Sequence, residues 1–584
     1  MRKKAKPMKQ IIPLVLALVF LAGCGTKTIS DPTSDSVPSG ELPTVSSGIL
    51  TAADAQPLPY VSRFDGETSI ILSDSGISVD GGAETDVVRT SNDIVYYEDR
   101  DSYDSGNPYG EGTDIDKHTA DEAAAHTVVN ITAPGAYRIS GKLSRGQIRV
   151  DLGENACDDA QAVVELILDN ADITCSVAPA IVFRNVYECD GNRDADNAVS
   201  RVDTSNAGAV LVLEGENAVS GSYVAKIFQD KEGEKKLWKQ DGAIYSYMSM
   251  NVEGSGKLDL TAQNEGLDTE MHLTINGGQI NIRSGNDGIN TNEDGVSVTT
   301  INAGSLHIIA GLGEEGDGID SNGYLVINGG VVVSSANPAA DAGLDSDLGS
   351  YINGGTVIAL GSTMDWAESD SDQVTMNLQF ADYQSGGSAV AVTREDGTVL
   401  FAYDPSEDEV LGENIRRFMG AVVSCSNFQV GERYHVYLDG SVSGTEDGGI
   451  YDVTSIAGHA GGIQMMYSGT DVGRGVHGGF GGGHPGGPMP EGFDGEMPTM
   501  PEGETIPEGF GGRGDRGRMP EGERPEDFTM PADFGGERPE LSDGETLPED
   551  FDPGRFGQGD GGMNSNLFYM NDKVNAFSGL TAAE

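Results

Sequence analysis

Positive charge, aromatic side chains and cysteine are all scarce in this chain. Lys and Arg number 36 against 93 Asp and Glu in 584 residues, a formal net charge of −57. A surface of that sign repels phosphate backbones, which excludes nucleic acid as a partner. It suits a solvated exported protein, a cation binder, or both. Aromatics make up only 7% of the residues while Gly reaches 83, a balance foreign to helical enzymes and common in repetitive β architectures. The five cysteines, Cys24, Cys157, Cys175, Cys189 and Cys425, include no CxxC pair and have no histidine partner at zinc spacing, so they do not define a function. Outside the cell Cys175 and Cys189 are the pair to join; two free thiols are the alternative.

Long apolar runs are also few. The one at Ile11 to Ala22 follows Arg2, Lys3, Lys4, Lys6 and Lys9 and is short for a membrane span, so it reads as a signal segment. It ends Leu21-Ala22-Gly23-Cys24, which resembles the lipobox of bacterial lipoproteins, where the cysteine thiol is acylated. Residues 1–24 are therefore expected to be removed or lipidated at Cys24. The protein would then be anchored to the extracellular face of the cell membrane by lipid alone, not inserted across it. Loss of residues 1–23, with five positive charges and no negative one, takes the formal charge from −57 to −62. The Ser/Thr/Pro-rich stretch over 25–60 reads as a flexible tether.

What is present is a repeat. Val252, Ile275, Ile301, Ile327 and Ile352 each precede Glu-Gly, Asn-Gly-Gly or Asn-Ala-Gly, at steps of 23, 26, 26 and 25 residues. A second motif interleaves with the first: Asp241-Gly242-Ala243-Ile244, Glu265-Gly266-Leu267-Asp268, Asp287-Gly288-Ile289-Asn290, Asp317-Gly318-Ile319-Asp320 and Ala342-Gly343-Leu344-Asp345. Short β segments recurring every 22–30 residues, divided by Gly, Asn and Asp turns, predict a parallel β-solenoid. A propeller blade needs about 40–50 residues, and a sandwich would not repeat coil by coil. The solenoid is assigned to 127–362, after an irregular N-terminal region over 61–126. Alternating segments such as Ser388 to Thr393 and Arg433 to Leu438 predict a small antiparallel β cap over 363–472. Residues 473–563, rich in Gly, Pro, Glu and Met, are expected to be a disordered loop. The apolar residues within 564–584 predict a last strand returning to the cap. The insertion Asp230 to Gln240 carries Lys231, Lys235, Lys236 and Lys239, the basic cluster beyond the signal.

Stacking the second motif places Asp268, Asn290, Asp320 and Asp345 at one position and Asp241, Glu265, Asp287 and Asp317 at another. Equivalent positions on adjacent parallel strands lie about 4.8 Å apart. Unit charges at that distance repel by roughly 1 kcal/mol in water and by several in a partly buried groove. Ca2+ coordinated by carboxylate, amide and carbonyl oxygens relieves that repulsion. The plainer alternative is that Asp, Asn and Gly are good turn formers and nothing more.

The order and spacing of Gly135-Ala136-Tyr137-Arg138-Ile139-Ser140-Gly141, Leu168-Asp169-Asn170-Ala171-Asp172-Ile173, Asp241-Gly242-Ala243-Ile244-Tyr245-Ser246 and the coils that follow resemble the clostridial carbohydrate-binding β-helix family. The resemblance covers residues 125–440. It implies a right-handed, pectate-lyase-like parallel β-helix, bound calcium and a plant-type polysaccharide such as cellulose or polygalacturonate as partner. Ala342 departs from the acidic position of its column.

Three functions follow as expectations. In the first, a monomeric surface protein binds an acidic polysaccharide through calcium, with Trp238, Tyr245, Tyr247 and Tyr324 as candidates to stack on sugar rings, beside Trp366. In the second, the same fold is a polysaccharide lyase, which needs a base near the calcium; Arg283 and Lys257 are the basic residues of the regular coils, and neither is beside the acidic columns in sequence. The third is an adhesin or stalk without a sugar ligand, for which Arg513-Gly514-Asp515 offers only a short motif. The binding protein, without catalysis, is preferred.

Overall fold

The computed structural model describes residues 55–97, 109–111, 117–228, 236–362, 365–404, 416–438, 441–447, 450–457, 461–465 and 567–582. The signal segment, the Cys24 anchor, most of the tether, the 473–563 loop and Arg513-Gly514-Asp515 lie outside them. The described chain is nearly all β, in parallel and mixed sheets; its one α-helix, Ala120–Ala124, is a single turn held by a capping box between Thr119 and Glu122.

Three ladders of parallel strands carry the fold. The first runs through Glu67–Leu72, Gly135–Leu143, Val164–Cys175, Ala209–Glu214, Met250–Gly254, Leu273–Ile275, Val298–Ile301, Tyr324–Ile327 and Gly349–Ile352. The second leaves the far half of Val164–Cys175 and continues through Glu216–Gly221, Lys257–Ala262, Gln279–Ser284, Ser305–Ile309, Val331–Ser335 and Thr356–Gly361. The third passes from Thr127–Ile131 through Gly146–Asp151, Ile181–Asn185, Gly242–Ser246, Glu265–Thr269, Ile289–Thr291 and Ile319–Ser321 to Asp345–Ser346.

The repeat length sets the register, and the register makes the core. Leu166, Leu211, Val252, Ile275, Ile301, Ile327 and Ile352 are Cα partners one after another on the first ladder, and all are fully buried. Ile181, Ile244, Leu267, Ile289 and Ile319 form the matching column on the third. Each such side chain contributes about 1.5–3 kcal/mol when fully buried, and β-branched residues fit the pleated surface.

At the turn that leaves the first ladder, asparagines stack. Asn276 donates to Glu253 at 2.7 Å, Asn302 to Asn276 at 2.9 Å, Asn328 to Asn302 at 2.9 Å and Asn353 to Asn328 at 3.0 Å. An amide both donates and accepts, so it repeats at the inter-strand spacing without loss. The glycine two residues on, Gly278, Gly304, Gly330 or Gly355, has φ between 85° and 90°, where other residues are strained.

Two boundaries differ from those read in the sequence. Parallel pairing starts at Glu67–Leu72, inside the region expected to be irregular, because Ile70 aligns with Ile139. The end of the expected tether is docked. The Leu58 amide donates to the Asn276 carbonyl at 2.8 Å, while Tyr60 and Phe64 cover Ala136, Val163, Ile167, Val210 and Val212 on the outer face of the first ladder. That apolar face supplies the driving force the tether reading overlooked.

Beyond Thr356–Gly361 the pairing turns antiparallel. Phe418–Ser424 pairs with Thr356–Gly361 and with Thr375–Gln384. Val390–Arg394, Val399–Tyr403 and Arg433–Leu438 pair antiparallel beside them. Leu567–Tyr569 pairs antiparallel with Arg433–Leu438, while Val574–Ala582, an exception, runs parallel to Thr375–Gln384. A second cluster, including Phe380, Phe401, Phe418, Tyr434 and Phe568, fills this region.

Candidate cation site on the third ladder

The third ladder brings the acidic motif into register. Tyr245, Asp268, Asn290, Asp320 and Asp345 are successive Cα partners. The acids before the glycines follow the same pairing from Glu265 onward: the Gly266 amide donates to the Asp287 carbonyl at 3.0 Å and Gly288 to Asp317 at 3.0 Å. Asp241 lies one residue out of the column that the repeat suggested, because Gly242 is the Cα partner of Glu265 and the Glu265 amide donates to the Asp241 carbonyl at 3.2 Å. The glycines of the motif leave space where a side chain has none. A Cβ on Gly242 would lie 2.5 Å from the Asp268 Cβ, and one on Gly266 would lie 2.4 Å from the Gly288 carbonyl oxygen.

Asp241, Glu265 and Asp268 are buried, and one carboxylate oxygen of each lies within 4.8 Å of the others. One Asp268 oxygen accepts from the Asn292 amide. Its other oxygen, Oδ2, together with Glu265 Oε2 and Asn290 Oδ1, is buried without a hydrogen-bond partner. An unsatisfied buried polar group costs about 1–3 kcal/mol, and more when charged. Burial, and then the neighbouring Glu265 carboxylate, push the Asp268 carboxyl well above the usual range.

Lys239 answers part of this charge. It arrives on Lys236–Gln240, which pairs antiparallel with Val224–Phe228, and places its Nζ 3.0 Å from Asp241 Oδ2 and 4.0 Å from Glu265 Oε1. Burial alone would lower its pKa, but Glu265, Asp241 and Asp268 outweigh that and hold it well above the ordinary lysine value. One ammonium among three carboxylates still leaves excess negative charge facing acceptor oxygens only, a donor set that fits a hard cation.

Asp287, Asp317, Asp320 and Asp345 share the columns but not the triad; among the described residues only Asp241, Glu265 and Asp268 form such a set. Asp287 and Asp317 are in part turn caps. The Asp317 amide donates to Asp287 Oδ1 at 2.7 Å, and the Ala342 amide to Asp317 Oδ1 at 2.6 Å. Burial and then Asp345 raise the Asp320 carboxyl to about 8. The column continues one residue further than the repeat suggested. Asp365 Oδ2 accepts from the Ser346 amide at 2.9 Å, and burial followed by Asp345 raises its carboxyl to about 7. Asp365 carries no Gly-x-Asp signature, so nothing in the repeat marks it. Lys239 was visible only as one of a basic cluster.

Residues 125–404 match the model of a family described as carbohydrate-binding domain-containing protein. A protein of the same description from Acetivibrio thermocellus is 28% identical over 176 residues, covering 29% of this chain and 51% of that protein. The chain thus spans about half the length of the curated relative it matches. Among solved structures, a polysaccharide lyase-like protein from C. thermocellum, determined as a gadolinium derivative, is similar at 19% identity, over 50% of this chain and 93% of that one, with a TM-score of 0.29.

The aromatic candidates divide. Tyr245 and Tyr247 are buried and pack edge to face at 5.0 Å, and the Tyr245 hydroxyl donates to Glu270, so neither presents a ring to a sugar. Both follow the Asp-Gly-Ala-Ile motif; Val182 clusters with the two rings, and Gln240 donates to the Tyr247 hydroxyl at 2.7 Å. The Trp238 side chain lies outside the described residues. Tyr324 is half-buried and pairs with Tyr351, a ring the sequence reading did not select, at 6.1 Å; Trp366 is 38% exposed. Arg283 and Lys257 sit on the second ladder, not among the acids, and Lys257 pairs with Asp259 at 3.0 Å.

Proposed function

We propose that this chain is a carbohydrate-binding protein whose three parallel ladders are the faces of a right-handed β-helix, with calcium on the third face. Asp241, Glu265, Asp268 and Asn290 would hold the ion. The observation that carries the reading is the set of buried, partnerless oxygens of Glu265, Asp268 and Asn290. Calcium supplies positive charge there, and the half-buried carboxylates of Asp317, Asp320 and Asp345 further along are open enough to share ions with the uronate groups of an acidic polysaccharide. A bare acidic surface would repel such a polymer. The family description of residues 125–404 and of the Acetivibrio relative supports a sugar ligand. The lipobox-like Leu21-Ala22-Gly23-Cys24 supports display at the cell surface through lipid.

Binding is favoured over elimination by where the basic side chains lie. Lys239 Nζ is spent on Asp241 at 3.0 Å, and Lys257 and Arg283 sit on the second ladder away from the acids, whereas a lyase needs a proton acceptor at the substrate. Retention of the protein on polygalacturonate, with absorbance of unsaturated products followed in parallel, tests the reading with calcium and with a chelator. Calcium-dependent retention without product is expected. Product formation would establish the lyase, and indifference to calcium would remove the ion from the mechanism.

A further inference from the structure

A separate cleft of about 380 Å³ opens on the first ladder, whose strands alternate along the chain with those of the third ladder that carry the acids. Its roof is the docked segment 58–63 and its floor the outer face of Ala209–Glu214, Met250–Gly254 and the strands that follow. The volume falls within the range of small-molecule sites, about 300–1,000 Å³. The roof is pinned, not draped. Ser62 Oγ and the Arg63 amide donate to the two oxygens of Glu165 at 2.5 and 2.9 Å, and Arg63 Nη2 donates to the Ser205 carbonyl at 2.7 Å.

The lining holds unspent polar capacity. Asn251, 3% exposed, donates its Nδ2 to the Thr204 carbonyl at 2.9 Å, which fixes its rotamer and leaves Oδ1 buried with no partner. The Tyr60 hydroxyl is turned toward Glu165 without closing a hydrogen bond. Glu253 spends one oxygen on Asn276 at 2.7 Å. Such a mixture of an aromatic ring, a free carboxamide oxygen and a carboxylate matches hydroxyl groups, each of which both donates and accepts. Arg63 against Asp203 and Glu253 leaves the lining with excess negative charge, which disfavours an anion. Val61, 82% exposed, and Leu58, 45% exposed, add an apolar lip.

We propose that this cleft is a second ligand site, for a short neutral saccharide, working without any metal. It does not depend on the calcium reading, since none of its residues belongs to the acid column. Calorimetric titration of the full chain with cellobiose, lactose and maltose, in chelator, tests it. At least one of these is expected to bind, about tenfold more weakly in Asn251→Leu and several-fold more weakly in Tyr60→Phe, which removes only a hydroxyl. Digalacturonate, under the same conditions, is expected not to bind. Absence of binding by all three disaccharides, binding unchanged in both variants, or preference for digalacturonate would each overturn the proposal. Because chelator is present throughout, failure here is distinct from failure of the calcium site.

Discussion

The two ends of the acid column differ in how they meet their charge. At one end Asp241, Glu265 and Asp268 are buried and Lys239 enters as a tethered cation. At the other, Asp317, Asp320 and Asp345 are half-buried, and among the described residues no ion pair reaches them. A buried carboxylate set needs a counter-charge to fold at all; a half-solvated one can leave that to the solvent or to a ligand. The same repeated motif thus yields a structural site and an open one, according to what packs outside it.

The largest test of this contrast is Lys239→Met. Removing one partner from a buried ion set typically costs 3–5 kcal/mol, so denaturant unfolding in chelator should show a loss of that size, recovered in part by calcium. A loss below about 1 kcal/mol would mean that the lysine does not balance the triad. Next in size is Asp268→Asn, which replaces a buried charge by an amide able to donate to Glu265. In chelator it should stabilise by about 1 kcal/mol or more, while the calcium-induced rise in melting temperature shrinks. Stabilisation by calcium equal to that of the parent would remove Asp268 from the site.

The pH dependence follows from the raised carboxyls. Asp320 at about 8 and Asp365 at about 7 bind protons more tightly in the folded chain than in the unfolded one, whose aspartates titrate near 3.8. Stability of the chelated protein should therefore fall as pH rises from about 4 to about 8 and level off beyond. Thermal melts across that interval check the sign, and saturating calcium should flatten the slope. The smallest effect belongs to Asp345→Asn, on the open end: less than about 1 kcal/mol in stability, but weaker retention on polygalacturonate. A stability loss as large as that of Lys239→Met would erase the distinction between the ends.

Much of this was legible in the residues. The columns of Val252 to Ile352 and of Asp268 to Asp345 could be aligned by eye because a parallel ladder with near-constant repeat length puts equivalent residues side by side. Tyr245 and Tyr247 were misread because a ring beside an acidic turn has the same letter whether it faces solvent or a packed segment. The docking of residues 58–64 was missed because it rests on the outer face of the first ladder, where Val210 and Val212 break the alternation expected of a solvated strand.

The sequence by itself therefore determined which side chains share a column, since repeat length sets register and register sets neighbours. Only the tertiary structure decided which of those neighbours are buried, that Lys239 reaches the acids, that Asp365 extends the column and that a pinned segment roofs a cleft. Those outcomes depend on chain that packs against the ladders from outside, and no periodicity within the ladders encodes it.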